Sequence, residues 1–347
     1  MSHHSSKRPL TESEHVPDDA LTEILLRVSP HPTCLARASV PLKALRSSSP
    51  PMLGFFHDDS HLANNFLPIG DSPDRVSAAA FDPKHLGWRV VDSRHGRVLL
   101  RSPDRLLFLI WEPMAGSRQY VDAPTPQCEP WTSIKNNAAL VCTTTGHHQD
   151  QSSNSCHDCP LSVLYVASPC WLWNEVASGV FSPLLVTERP VAMLGNVVYW
   201  TMADNGYPRG ILGLEVETRR LSLIKQPPYT FEAHLEHVQV IEPQNGMLRL
   251  VIAAGLSLQL WALYQYNGVG TEGWELYCEI DLKHLAPLKP MLDFYDPIWI
   301  LSVQGSVIFL RTEAGIFEVD LQTQEYKRLY DGYNVKAFYT YRSFYRR

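Results

Sequence analysis

The stretch Gly305–Leu310, GSVIFL, begins with a glycine and continues as a run of β-branched and aromatic residues. Glycine accepts the positive backbone angles of a tight turn, and the residues that follow favour a strand. The same arrangement occurs at three earlier places, Gly96–Leu100 (GRVLL), Gly195–Trp200 (GNVVYW) and Gly246–Val251 (GMLRLV). The stretch therefore marks one unit of an internal repeat that is built from strands.

The spacing of these units predicts the fold. The four glycines are 99, 51 and 59 residues apart, and the first interval has room for one further unit, Ala138–Val141. Two units also end in a similar way, because in Leu214–Thr218 and Val319–Thr323 apolar and polar residues alternate and a turn threonine follows. A period of about fifty residues with several strands per unit is typical of a β-propeller of kelch-like spacing.

We therefore predict a mainly β fold with about six blades, in which residues 52–81 form part of a further unit. Counts of seven and eight stay open, and an unrelated all-β sandwich is the alternative fold. The C-terminal stretch Ala337–Tyr345 alternates as a strand does. We expect it to close the ring against an N-terminal strand, because closure protects the edges of the sheets.

Composition restricts the classes of function. The chain has 347 residues and a net charge of −6, and its basic residues are scattered, which argues against nucleic acid as the main partner. The longest apolar stretch, Val251–Tyr264, is too short to span a bilayer. Seven cysteines, an odd number, and the absence of an Asn-x-Ser/Thr site favour the cytoplasm, the nucleus or both.

Residues Val16–Val28, VPDDALTEILLRV, differ from the β pattern. Apolar residues recur there every third or fourth position, which predicts an amphipathic helix. Ser29 and Pro30 end this helix. A second short helix is predicted over Cys34–Val40, with Thr33 as its N-cap.

These two segments carry a resemblance to a known family. In order and spacing, PDD at 17–19, LTEILLRV at 21–28 and PTCLARASV at 32–40 are similar to the first two helices of a plant-type F-box. In that family the F-box binds the Skp-type adaptor of a cullin-based SCF ubiquitin ligase, and the domain that follows it selects the substrate. The resemblance implies the adaptor-binding residues Pro17, Leu21, Ile24, Leu25, Val28 and Leu35.

The chain departs from the F-box pattern after Val40. Pro41 falls where the second helix of the family continues, and SSSPP at 47–51 stands where its third helix belongs. The Val-Cys-Lys-x-Trp segment of the family is also absent, since the first tryptophan is Trp88. We expect a disordered segment at 1–14, a partial F-box at 15–47 and a propeller-like domain at 48–347.

A second resemblance lies in the first repeat unit. Asp92–Leu100 (DSRHGRVLL) followed by Leu109–Gly116 (LIWEPMAG) is similar to the opening blade of plant F-box-associated propeller domains. There a Ser-x-x-Gly strand is followed by a Trp-Asn-Pro-x-Thr-Gly turn, in which this chain has Glu112 and Ala115 at the Asn and Thr positions. The resemblance implies a non-catalytic receptor that binds the adaptor, and through it a cullin, and presents an unknown target protein.

The alternative function is a free interaction propeller. A helical module that has lost one helix has little core left, so the partial F-box is the reason to keep this alternative open. Adaptor binding separates the two hypotheses.

Catalytic chemistry is the third hypothesis. The sequence has no phosphate-binding loop, dinucleotide fingerprint, His-Glu-x-x-His or Gly-x-Ser-x-Gly motif, so we expect no catalytic residue and no cofactor. A glycosidase would need two converging carboxylates. The candidates in the repeated strands are Asp92, Glu112, Glu215 and Asp320. Carboxylates at equivalent repeat positions are more typical of strand edges and turns.

Two further motifs remain. Cys156–Cys159, CHDC, is a single Cys-x-x-Cys without a second pair, so we predict no metal site. Aromatic residues in connecting segments are candidate anchors for a partner. These candidates are Trp131, Trp171, Trp173, Tyr207 and Trp274. Tryptophans repeated over several blades are more typical of the core between blades.

Overall fold

The structure, a computed structural model, describes residues 52–59, 62–69, 76–83, 87–123, 135–142, 161–168, 185–186, 191–204, 207–227, 233–234, 237–241, 247–265, 272–283, 298–331 and 335–343. The chain divides into two compact units, Met1–Ser49 and Pro50–Arg347, and all the described residues belong to the second unit. The predicted F-box helices and their adaptor-binding residues lie outside the described residues. These adaptor-binding residues are Pro17, Leu21, Ile24, Leu25, Val28 and Leu35.

The described residues form strands almost throughout, with one 3-10 helix at Ala78–Phe81. The strands are β1 (Met52–Asp59), β2 (Leu62–Pro68), β3 (Arg89–Arg94), β4 (Arg97–Arg101), β5 (Leu107–Glu112), β6 (Ser117–Asp122), β7 (Lys135–Cys142), β8 (Leu161–Ser168), β9 (Leu185–Val186), β10 (Ala192–Leu194), β11 (Val197–Asp204), β12 (Tyr207–Glu215), β13 (Arg220–Ile224), β14 (Val238–Ile241), β15 (Arg249–Ala254), β16 (Ser257–Gln265), β17 (Glu272–Asp281), β18 (Trp299–Gln304), β19 (Val307–Thr312), β20 (Gly315–Asp320), β21 (Tyr326–Tyr330) and β22 (Val335–Arg342). The mainly β class predicted from the sequence is confirmed for this part of the chain.

The strands pair antiparallel into separate sheets. Blade A has the order β2-β1-β22, blade B consists of β3–β6, blade D of β14–β17 and blade E of β18–β21. Blade C has five strands, β9–β13, and a two-stranded sheet, β7–β8, lies between blades B and C in the chain. Consecutive strands pair with one another in each blade, with two exceptions. In blade C, β9 pairs with β11 beside β10, and the C-terminal strand β22 joins blade A.

Buried apolar clusters connect each sheet to the next and show that the sheets form a closed ring. Phe56 of blade A lies 6.1 Å from Trp111 of blade B, ring centre to ring centre. Phe338 of blade A packs against Phe309 of blade E at 4.7 Å. Four further clusters join the remaining neighbours, B to β7–β8, β7–β8 to C, C to D and D to E. The described part of the chain is therefore a β-propeller.

The blade count differs from the prediction of about six. Five blades of three to five strands are described, and the two-stranded sheet β7–β8 occupies the remaining place in the ring. The predicted unit Ala138–Val141 lies in β7. The glycine-strand units predict places around the ring, whereas a blade also requires several strands to pair, and the units alone do not show how many strands join each blade.

The repeated glycines lie where the sequence predicts. Gly96, Gly195 and Gly305 form the first turn of blades B, C and E, with φ angles of 72°, 56° and 59°. A side chain is disfavoured in this left-handed region, which explains why glycine recurs there. The fourth glycine, Gly246, lies outside the described residues.

The predicted ring closure is confirmed. Strand β22 pairs antiparallel with β1, from Met52 opposite Arg342 to Asp59 opposite Val335. The Tyr341 hydroxyl donates a hydrogen bond of 2.9 Å to the carbonyl oxygen of Gly96, which ties the closing strand to the first turn of blade B. Burial raises the pKa of Tyr341 well above its usual range, so the phenol keeps its proton as a donor.

We expect Tyr341→Phe to lower the free energy of unfolding by about 1 kcal/mol, because the buried carbonyl group of Gly96 loses its donor while the ring stays in place. Urea denaturation of the full chain measures the change. Tyr120→Phe removes the same hydroxyl from a side chain that is 52% exposed and should change stability by less than about 0.5 kcal/mol. Equal effects of the two variants would show that the Tyr341 bond does not contribute to closure.

Candidate recognition surface

The strand directions define two ends of the ring. In blades B, C and E the Gly96, Gly195 and Gly305 turns follow the innermost strand, and we call this side the turn end. Because consecutive strands are antiparallel, the innermost and third strands of a blade begin at the opposite side, where the second strand ends. We call that side the loop end.

Three of the four candidate carboxylates lie in turns at the turn end, one in each of three blades. Glu112, Glu215 and Asp320 end the third strands of blades B, C and E. The Asp320 carboxylate accepts hydrogen bonds from the backbone amides of Thr323 at 3.0 Å and Gln322 at 2.7 Å, and these bonds, that of Thr323 first, keep its pKa below the usual value.

The other two carboxylates also bond within their own blades. Glu215 accepts hydrogen bonds from the Thr218 hydroxyl and from Asn196. Glu112 accepts a 3.3 Å bond from the Ser117 hydroxyl. These contacts agree with the interpretation of the repeat-equivalent carboxylates as turn residues.

Asp92 has a different position, on the innermost strand of blade B. It is 4% exposed, and its Oδ2 accepts a 2.9 Å hydrogen bond from the amide of Leu140 in β7. The Arg94 guanidinium bonds the same carboxylate at 3.0 Å and also donates to the carbonyl oxygen of Val191, just before β10. Asp92 and Arg94 therefore connect three neighbouring sheets near the centre of the ring.

The structure describes two of the five candidate aromatic anchors. Trp131, Trp171 and Trp173 lie outside the described residues. The indole of Trp274 donates a 2.7 Å hydrogen bond to the carbonyl oxygen of Lys225 and packs beside the cluster between blades C and D. Trp274 thus joins two blades. This position agrees with the interpretation that the tryptophans pack in the core between blades. Tyr207 begins β12 at the loop end and is half-buried.

Tyr207 belongs to a continuous group of side chains at the loop end. Its ring centre is 5.0 Å from that of His234, which is 6.1 Å from His237, which is 6.4 Å from Trp299. We call these four residues and two arginines that lie over their rings the aromatic–basic row. The arginines are Arg209, 5.8 Å from the Tyr207 ring, and Arg311, 4.4 Å from the Trp299 ring.

Three blades build the row. Tyr207 and Arg209 lie on β12 of blade C, His234 and His237 precede the innermost strand of blade D, and blade E supplies the other two. Trp299 and Arg311 stand opposite each other in the β18–β19 pair, and Arg311 also donates a 2.7 Å bond to the carbonyl oxygen of Val335. His234 is exposed, His237 is buried, and the other four residues are half-buried.

Sequence reasoning identified only Tyr207 among these residues. The others are spread between positions 209 and 311, and the local signal is limited to the pair of histidines at 234 and 237. Aromatic and arginine side chains are enriched where proteins bind other proteins. The row is therefore a candidate recognition surface.

Other sites find less support in the described part of the chain. No group of three metal-ligating side chains occurs among these residues, and Cys156–Cys159 lies outside them. The described residues also contain no helix with the length and apolar character needed to cross a membrane.

Comparison with known proteins finds fold likeness only. No protein-family model matches the sequence, and no curated protein matches it. The WD40 domain of SCAP from fission yeast is 11% identical, with a TM-score of 0.37, over 78% of this chain and 58% of that one. The periplasmic gluconolactonase of Pseudomonas aeruginosa is 11% identical, with a TM-score of 0.35, over 80% of this chain and 82% of that one.

A third similar structure is the extracellular domain of a one-component system from Bacteroides thetaiotaomicron, 11% identical with a TM-score of 0.33. The match covers 81% of this chain and 36% of that one. This chain thus spans less than two thirds of two of the three proteins. The assignment of the propeller rests on its own strand pairing and packing.

Proposed function

We propose that this chain is the substrate-recognition subunit of an SCF-type ubiquitin ligase. In this proposal residues 15–47 bind the Skp-type adaptor, and the propeller binds a target protein. The order and spacing of the F-box-like residues 17–40, placed before a β-propeller, is the observation that supports the proposal. The site of action would be the cytoplasm, the nucleus or both.

The proposed mechanism is proximity. The apolar stripe of the first helix enters a groove of the adaptor, as amphipathic helices commonly do. The propeller then holds the target near the ubiquitin-conjugating enzyme, which raises the effective concentration of the reacting groups. The chain contributes no catalytic residue in this scheme. Its partners are the adaptor, through it a cullin, and the target.

A second candidate function is a free interaction propeller. Pro41 and the SSSPP run at 47–51 stand where the family's F-box continues as helix, and this departure favours the alternative. The two functions share the propeller and differ only in adaptor binding.

Calorimetry of the full chain with a purified Skp-type adaptor tests the proposal. We expect binding, and we expect Leu21→Asp with Ile24→Asp to weaken it at least 100-fold, because each carboxylate would have to enter an apolar groove at a cost of roughly 2 kcal/mol or more. Thr22→Asp, one position off the stripe, is the matched control and should change the affinity less than threefold.

A second form of the chain, with a complete third helix grafted after Val40, decides between the two functions. Binding by both forms supports the ligase receptor. Binding by the grafted form alone supports the free propeller, and binding by neither overturns the receptor proposal. Binding that survives the Leu21→Asp and Ile24→Asp changes would overturn the assigned adaptor surface.

A further inference from the structure

We draw no further inference here: the strongest candidate, the uncharged outer edge of strand β8 (Leu161–Ser168) in the two-stranded sheet between blades B and C, carries none, because nothing in the structure shows what covers that edge.

Discussion

Asp92→Ala is expected to lower the free energy of unfolding of the propeller by about 3–5 kcal/mol, the range found when one partner of a buried ion pair is removed. The change leaves the Arg94 guanidinium, whose side chain is 15% exposed, without its carboxylate. It also leaves the Leu140 amide without its acceptor. The Asp92–Leu140 bond joins blade B to β7, and Arg94 also donates to the carbonyl oxygen of Val191, just before β10. Loss of the carboxylate therefore weakens contacts among three sheets.

Urea denaturation of the full chain, followed by tryptophan fluorescence, measures this effect. Asp281→Ala is the control, since Asp281 pairs with Lys283 at 3.0 Å but the two side chains are 51% and 70% exposed. Exposed pairs contribute about 1 kcal/mol or less. Asp92→Asn keeps an acceptor for the Leu140 amide and should fall between the two. A loss below about 1 kcal/mol in Asp92→Ala would contradict a linking function for this carboxylate.

Gly315→Ala is expected to lower the free energy of unfolding by about 3 kcal/mol or more, because the added methyl group would collide with backbone atoms and would also strain the backbone at this position. Gly315 begins β20 with a φ of 128°. A Cβ atom there would collide with the carbonyl oxygen of Tyr330 and would lie 3.3 Å from the Cα of Asp331. Both are backbone atoms at the end of β21, so relief requires the outer strand of blade E to move.

Gly116→Ala separates the collision from the strain. Gly116 has a φ of 70°, and an added Cβ would have nothing within 4 Å. We expect this control to lose about 1 kcal/mol, the usual difference for a left-handed position. Hydrogen exchange of the β21 amides gives a second measurement, in which Gly315→Ala should lose protection in that strand. Equal losses of stability for the two variants would show that β21 accommodates the methyl group.

The ring and its closure could be predicted from local signals. Turn glycines such as Gly96 and Gly305 recur because their left-handed φ angles favour glycine. The strands after them are apolar because they are buried between neighbouring blades. The alternating segment that contains Tyr339 and Tyr341 predicted the closing strand, which pairs with β1. The number of blades could not be predicted, because it depends on which strands pair.

The candidate recognition surface, in contrast, could not be predicted from local signals. Tyr207 was a candidate because aromatic residues in connecting segments often bind partners. The same reasoning also selected Trp274, whose indole instead donates a hydrogen bond to the carbonyl oxygen of Lys225 and so links blades C and D. His237, Trp299 and Arg311 have no sequence pattern in common. The F-box-like helices and the ligase function stay predictions that adaptor binding must test.

The sequence by itself determined the mainly β class, the glycine turns and the closing strand, since backbone angles and alternation act between near neighbours in the chain. Only the tertiary structure decided that Asp92 links three sheets and that Tyr207, His234, His237 and Trp299 form one row. The physical reason is closure of the ring. It places the corresponding ends of successive blades side by side, so residues far apart in sequence meet at distances that no local pattern encodes.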